Sequence, residues 1–232
     1  LPTDRKVRPP VIIWLHGGSW KWGNKEHNPL RWTAVEGYAS VTVNYRLSSQ
    51  ATFPAAIHDC KAVVRWLRAN ADDYGFDARR IVVAGGSAGG HLALLLAMTT
   101  DNATLEGSVG KHLEQSSKVQ GVIDFFGPAD LSVYQDRAGK DLTPAVTSFL
   151  GSPPWIDPTN ANLASPIAHL DAGDPPLLIF HGSDDTVVQI AQSERLHKAS
   201  LEAGIESTFI NVEGAGHDGK PRRDVLGHES GR

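Results

Sequence analysis

Residues 81–91 read Ile-Val-Val-Ala-Gly-Gly-Ser-Ala-Gly-Gly-His and run on into the apolar stretch Leu92 to Met98. A β-branched run that stops on glycines and restarts as a helix former describes a buried strand turning sharply into a helix. That unit commits the chain to a layered α/β architecture around a mostly parallel sheet, with helices on both faces. Other short apolar runs repeat the strand signal at Val11 to Leu15, Ser40 to Tyr45, Val119 to Phe126, Leu177 to Phe180 and Ser207 to Val212. With Ile81 to Ala84 they make six strands. A helix is expected from Pro54, since Ile57, Cys60, Val64 and Leu67 recur at steps of three and four. Further helices are expected from Ser87 to Met98 and from Val188 to Ala203, the latter closed by Gly204 at its C′ position. The stretch Asp130 to Asp174, rich in Pro, Gly, Asn and Asp, is too long for a simple crossover and reads as an excursion beside a pocket. The whole of 1–232 is read as one domain.

Composition narrows the partners. Lys plus Arg total 22 against 26 for Asp plus Glu, a net charge of -4 that lacks the basic excess of a nucleic-acid binder. The longest apolar runs fall far short of the roughly 20 residues that a membrane span needs. Nothing before Val11 has the apolar stretch of a secretory signal. Cys60 is the single cysteine, so no intrachain disulfide forms and the compartment, cytoplasmic or secreted, stays open. No HExxH and no spaced His and carboxylate cluster is present, so neither a metal nor another cofactor is expected.

The glycine-rich turn contains GxSxG at Gly85 to Gly89, the spacing of a nucleophile elbow. In that geometry Gly85 and Gly89 occupy places where a Cβ would clash, and Ser87 is held outward at a helix N-terminus that favours a developing anion. The bland alternative is a turn that merely packs a helix on a strand. A dinucleotide fingerprint would need glycine where Ser87 stands, and a phosphate loop would need GK followed by Ser or Thr. Upstream, His16-Gly17-Gly18-Ser19-Trp20 closes the first strand where an oxyanion loop would sit.

With these motifs the chain resembles the α/β-hydrolase carboxylesterases with the HGG oxyanion motif, in the hormone-sensitive-lipase-like branch related to acetyl esterases and bacterial feruloyl esterase-like proteins. Asn44 to Ser48, Phe53 to Asp59 and Gly127 to Leu131 extend the match across about Val11 to His217. The resemblance implies a serine carboxylesterase acting on short-chain acyl or aryl esters through an acyl-enzyme. It also implies the order Ser, acid, His along the chain. Ser87 is then the nucleophile and His217, after the last strand, the base. Asp185 is the acid because the family's HGxxDxxV register falls on it, with Asp184 as competitor. The oxyanion donors would be the backbone N–H groups of Gly18, Ser19 and Ala88, and His16 would shape their loop.

Other residues keep two readings. Trp20 and Trp22 are either walls for an acyl or aryl group or ordinary packing. Tyr45, Arg46 and Glu26 orient substrate or form a polar link beneath the pocket, and His58, Asp59 and Lys61 belong to a helix surface or its cap. A serine peptidase of the same fold and a catalytically inactive ligand-binding module are the alternative functions. Relatives of this kind begin with more strands and end in an amphipathic helix; here both are shortened or missing, and Asp218 to Arg232 lacks an apolar period. A homo-oligomer would cover the surface thus left open.

Overall fold

The computed structural model describes residues 7–133 and 143–220. Six parallel strands form one sheet in the order β2-β1-β3-β4-β5-β6, with β1 Pro10–Leu15, β2 Ala39–Val43, β3 Asp77–Gly86, β4 Gly121–Phe125, β5 Leu177–Gly182 and β6 Ser207–Val212. The helices between them are α1 Ala55–Ala69, α2 Ala71–Tyr74, α3 Ala88–Met98, α4 Ala103–Glu106, α5 Thr143–Leu150, α6 Pro158–Leu163 and α7 Ala191–Glu202. The six-strand parallel sheet is the one expected, and the differences lie at element ends.

Alternation along β1 shows how the sheet divides its two faces. Val11, Ile13 and Leu15 enter a large core shared with Ile57 and Val64 of α1, Leu92 and Leu95 of α3 and Leu196 of α7. Ile12 turns the other way, into a small cluster with Leu30 and Ala84. α3 is apolar all round and buried along its whole length, as a helix at the centre of a domain must be.

β2 ends at Val43 rather than at Tyr45 because its partner β1 ends at Leu15, the last residue in register. Tyr45 leaves the sheet and donates from its hydroxyl to His16 O at 2.7 Å, while its ring stacks on the His16 ring. β4 stops at Phe125 because Phe126 has φ +49°, a left-handed conformation no strand tolerates. β3 starts at Asp77, earlier than expected, and its pairing with β1 shifts register between Pro10, opposite Asp77, and Val11, opposite Ile81.

α7 begins at Ala191 rather than at Val188, since the backbone groups of Val187 and Val188 are engaged by Asp185 and His181 instead of by a helix. Lys61, expected on a helix surface, is fully buried. Its ammonium passes between α1 and α4 to Thr99 O, Glu106 and Ser117. The excursion carries α5, α6 and a 3-10 turn at Pro166–His169, and part of it lies outside the described residues. Most of the tail expected to lack a helix, from residue 221 on, also lies outside them. Among the described residues no helix is long and apolar enough to cross a membrane.

Candidate active site

All six strands run the same way, so the loops after β1, β3, β5 and β6 gather at one edge of the sheet. Each contributes to one cluster. β3 ends in Gly85 and Gly86, and Ser87 follows with φ 55° and ψ -121° before α3 begins at Ala88. Strain of this kind is held only where neighbours leave no other course. A Cβ on Gly85 would overlap the Gly89 carbonyl, and one on Gly89 would overlap the Leu15 and His16 carbonyls, so both glycines are dictated by close approach. Ser87 N–H donates to Phe125 O at 2.9 Å, which ties the elbow to β4.

The base arrives on the loop after β6. Ser183 N–H donates to Val212 O, Asp184 N–H to Ala215 O, and Gly214 N–H to Ser183 Oγ, lacing that loop to the turn after β5. His217 is thereby fixed with Nε2 2.9 Å from Ser87 Oγ and Nδ1 2.8 Å from Asp185 Oδ2. A carboxylate only accepts, so the imidazole carries its proton on Nδ1 and its bare Nε2 faces the serine hydroxyl. The Phe126 ring lies against the His217 ring, their centroids 4.7 Å apart.

The two adjacent aspartates are used differently. Asp184 is exposed and accepts from its neighbour Ser183. Asp185 is buried; Oδ1 accepts from the amides of Val187 and Val188, and Oδ2 faces two imidazoles, His217 and His181. Burial alone would raise its carboxyl, but the hydrogen bonds from His181 and His217 outweigh that and hold it well below the usual carboxylate range. A charged acceptor thus stands behind the base at neutral pH.

The loop after β1 runs against the elbow. A Cβ on Gly17 would lie 2.9 Å from Gly86 O and 3.4 Å from Ser87 Cβ, so only glycine admits this approach. Gly18, Ser19 and Trp20 all have positive φ, at 111°, 53° and 57°. Lys21 and Trp22 donate their amides back to Gly18 O, closing a tight turn. Ala88 is the first residue of α3, so its N–H has no acceptor within the helix. His16 anchors the loop from below through its Nδ1–H to Gly17 O and its stack on Tyr45, and burial lowers its pKa, which favours the neutral ring.

Trp20 and Trp22 part company. Trp20 is 2% exposed, stacks on Phe149 of α5 at 4.6 Å and donates from Nε1 to His91 Nδ1. It is core, and the expectation that it walls a pocket is corrected: an indole turned inward by a positive-φ turn has no face left for a ligand. Trp22 is 70% exposed beside the same loop. His91 in turn donates from Nε2 to Ala164 O, and burial pushes its pKa down to about 4, so it is a neutral link between α3 and the excursion. Arg46 grips Asp59 with Nε and Nη2, both at 2.8 Å, so it belongs to a polar link under the loop; Glu26 is exposed.

Sequence reasoning missed Phe126 and His181. Phe126 announces itself only by a backbone angle. His181 was visible as the first residue of the HGxxDxxV run, but its contact with Asp185 requires the turn between them to close. A cavity of about 660 Å³ lined by Arg8, Arg68, Asp72, Asp77, Arg79 and Arg80 lies at the opposite end of the sheet, where β1 and β3 start. Its arginines are all engaged, by Asp72, by Asp77 or by the carbonyls of Ser116 and Lys118. No group of three or more His, Cys, Asp or Glu able to hold a metal occurs among the described residues.

This chain is similar to proteins named for ester hydrolysis. Esterase LipQ of Mycobacterium tuberculosis is 33% identical over 201 residues, covering 85% of this chain and 47% of the relative. The probable carboxylic ester hydrolase LipM of the same organism is 32% identical, covering 79% of this chain and 43% of the relative. The chain thus spans about half the length of the curated relatives it matches. Among solved structures, a truncated form of a carbohydrate esterase from gut microbiota superimposes with a TM-score of 0.86 at 32% identity, over 94% of this chain and 81% of the other. The esterase Est2 of Thermogutta terrifontis, with propionate bound, gives 0.76 at 29% identity, over 93% and 77%. The BD-FAE family model matches residues 1–200, and with esterases of the α/β-hydrolase fold as its structural neighbours, the chain belongs to the BD-FAE family.

Proposed function

We propose that this chain hydrolyses carboxylic esters with short acyl or aryl groups through an acyl-enzyme on Ser87. The reading rests on one observation above all: Ser87 Oγ, His217 and Asp185 Oδ2 stand in series at 2.9 and 2.8 Å beside a tight turn of backbone amides. Ser87 attacks the ester carbonyl and passes its proton to His217 Nε2, and the imidazolium that results is held by Asp185. The N–H groups of Gly18, Ser19 and Ala88 receive the oxyanion. His217 then protonates the departing alcohol, and water activated by the same imidazole releases the acid. No step calls on a metal or other cofactor.

The esterase names of relatives and neighbours favour this reading over a serine peptidase or a binding module. The carbohydrate esterase and the propionate-bound Est2 support a small acyl group, and the exposed Trp22 offers a face to the rest of the ester. The test is turnover of 4-nitrophenyl esters from acetate to octanoate. Acetate to butyrate should be hydrolysed fastest, and Ser87→Ala should lower kcat by roughly 10⁴–10⁶-fold with its thermal midpoint unchanged. Full turnover by Ser87→Ala would overturn the assignment.

A further inference from the structure

Among the described residues, His181 is the buried imidazole in contact with Asp185 that the mechanism above leaves unused. It is the fifth residue of β5 and 1% exposed. Its Nε2 lies 2.9 Å from Val188 O and 3.2 Å from Asp185 Oδ2, and its Nδ1 lies 2.7 Å from Ser193 Oγ in the first turn of α7. Val188 O accepts and never donates, so the proton is on Nε2 and is shared between that carbonyl and the carboxylate. In the neutral ring Nδ1 is then an acceptor, and the Ser193 hydroxyl donates to it. A chain of donors therefore runs from Ser193 through His181 to the oxygen that also receives His217.

We propose that His181 is a positioning residue for ester hydrolysis: with Ser193 behind it, it fixes Asp185 Oδ2 and takes a share of its charge, setting how strongly Asp185 draws a proton onto His217. This rests on the triad reading given above. Among the described residues, the titratable groups facing the carboxylate are His181 from β5 and His217 from the loop after β6, and its other partners are the amides of Val187 and Val188. Those amides hold Oδ1, so the carboxylate keeps its anchor when His181 is removed and only Oδ2 gains freedom to shift. Its charge then falls wholly on His217, where it stabilises the imidazolium. A histidine that served only to staple β5 to α7 would alter stability without altering that balance.

The experiment is the pH profile of kcat/KM with 4-nitrophenyl acetate for the wild type, His181→Phe, His181→Gln and Ser193→Ala. In His181→Phe the acid limb should move up by about half a pH unit. Its plateau should fall about tenfold, within the roughly 10²-fold that a misplacement of about 1 Å costs. His181→Gln restores a donor near Nε2 and should return the limb toward the wild-type position. Ser193→Ala weakens the Nε2 donor by removing its support, so its limb should move the same way by less. This variant decides the matter if His181→Phe does not fold. A limb that stays in place or moves down in folded His181→Phe, or in Ser193→Ala where His181→Phe does not fold, overturns the proposal. Ser87→Ala separates the two possible failures: an active Ser87→Ala overturns the functional reading itself, whereas an inactive one with an unmoved limb in His181→Phe overturns only the role of His181.

Discussion

Two buried polar networks in this molecule use similar groups to opposite ends. Between α1 and α4, Lys61 and Arg65 converge on Glu106, and every contact they make beyond it ends on Ser117 or on a backbone carbonyl of Thr99, Glu106 or Val109. At the other end of the molecule, Asp185 gathers His181 and His217, but that chain ends on Ser87 Oγ, which is half-buried and can reach solvent. In the first network the cations end on carbonyls, on Ser117 and on Glu106, which is itself half-buried, and none of these is placed to hand a proton on. The second has one free end, and that end is where a proton can be handed on. Burial, charge and hydrogen bonding do not by themselves distinguish scaffold from machinery; where the last partner points does.

The comparison is most easily broken at the open network. Asp185→Asn should cost about 10⁴-fold in kcat, the loss seen when a triad acid no longer fixes the tautomer of its base. Asp184→Asn, which alters an exposed carboxylate, should leave kcat within a factor of a few. Ester hydrolysis by the two purified variants checks this, and a larger loss at Asp184 would reverse the roles of the pair.

At the first network the effect should fall on stability instead. Glu106→Ala strands two buried cations and should lower unfolding free energy by about 3–5 kcal/mol, read as a shift of the urea midpoint. The kcat of the fraction that remains folded should be unchanged. A selective loss of kcat there would mean the two networks are coupled.

A third test sharpens the contrast through pH. His91 is held neutral by burial, with its pKa down to about 4 against the ordinary 6.5, so acidification across that range favours the unfolded chain, which binds the proton. Asp124 on β4, fully buried and with the Gly127 amide its one partner among the described residues, is pushed the other way, well above the carboxylate range, and its neutral form favours the folded chain as pH falls. Over pH 4 to 6.5 the two slopes oppose each other. Asp124→Asn removes one of them, and stability should then rise by about 3 kcal/mol from pH 4 to 6.5. Urea unfolding at the two pH values reads this directly.

The smallest effect is expected at Trp22. Trp22→Ala should leave stability within about 0.5 kcal/mol, as for an exposed side chain, while raising KM for aryl esters. Trp20→Ala, two residues earlier, should cost about 3–5 kcal/mol because it empties a core position. Equal stability losses for the two would contradict their opposite burial.

Much of this was legible in the residues. The GxSxG turn and the HGG strand end are local patterns, and the order of serine, acid and histidine followed from the family resemblance; a Cβ on Gly85 would meet the Gly89 carbonyl four residues on, whereas the room denied to Gly89 is set by Leu15 and His16. Strand ends were less legible, because β2 stops where its neighbour stops and β4 stops at one left-handed residue. The readings that went astray, Trp20 as a pocket wall and Lys61 as a surface lysine, share a cause. Both side chains are long enough to reach partners far along the chain, Phe149 in one case and Glu106 in the other.

From the sequence alone follow the parallel α/β sheet, the strained serine at the end of its third strand and the residue types an acyl transfer needs, since these depend on periodicity and on backbone room within a few residues. Only the tertiary structure decided which imidazoles meet the Asp185 carboxylate, which tryptophan faces water and which buried charges end on carbonyls. Apart from His181 and Asp185, which a turn of four residues must close to bring together, those contacts join residues tens of positions apart, and no local preference encodes a distance of 2.8 Å between two loops.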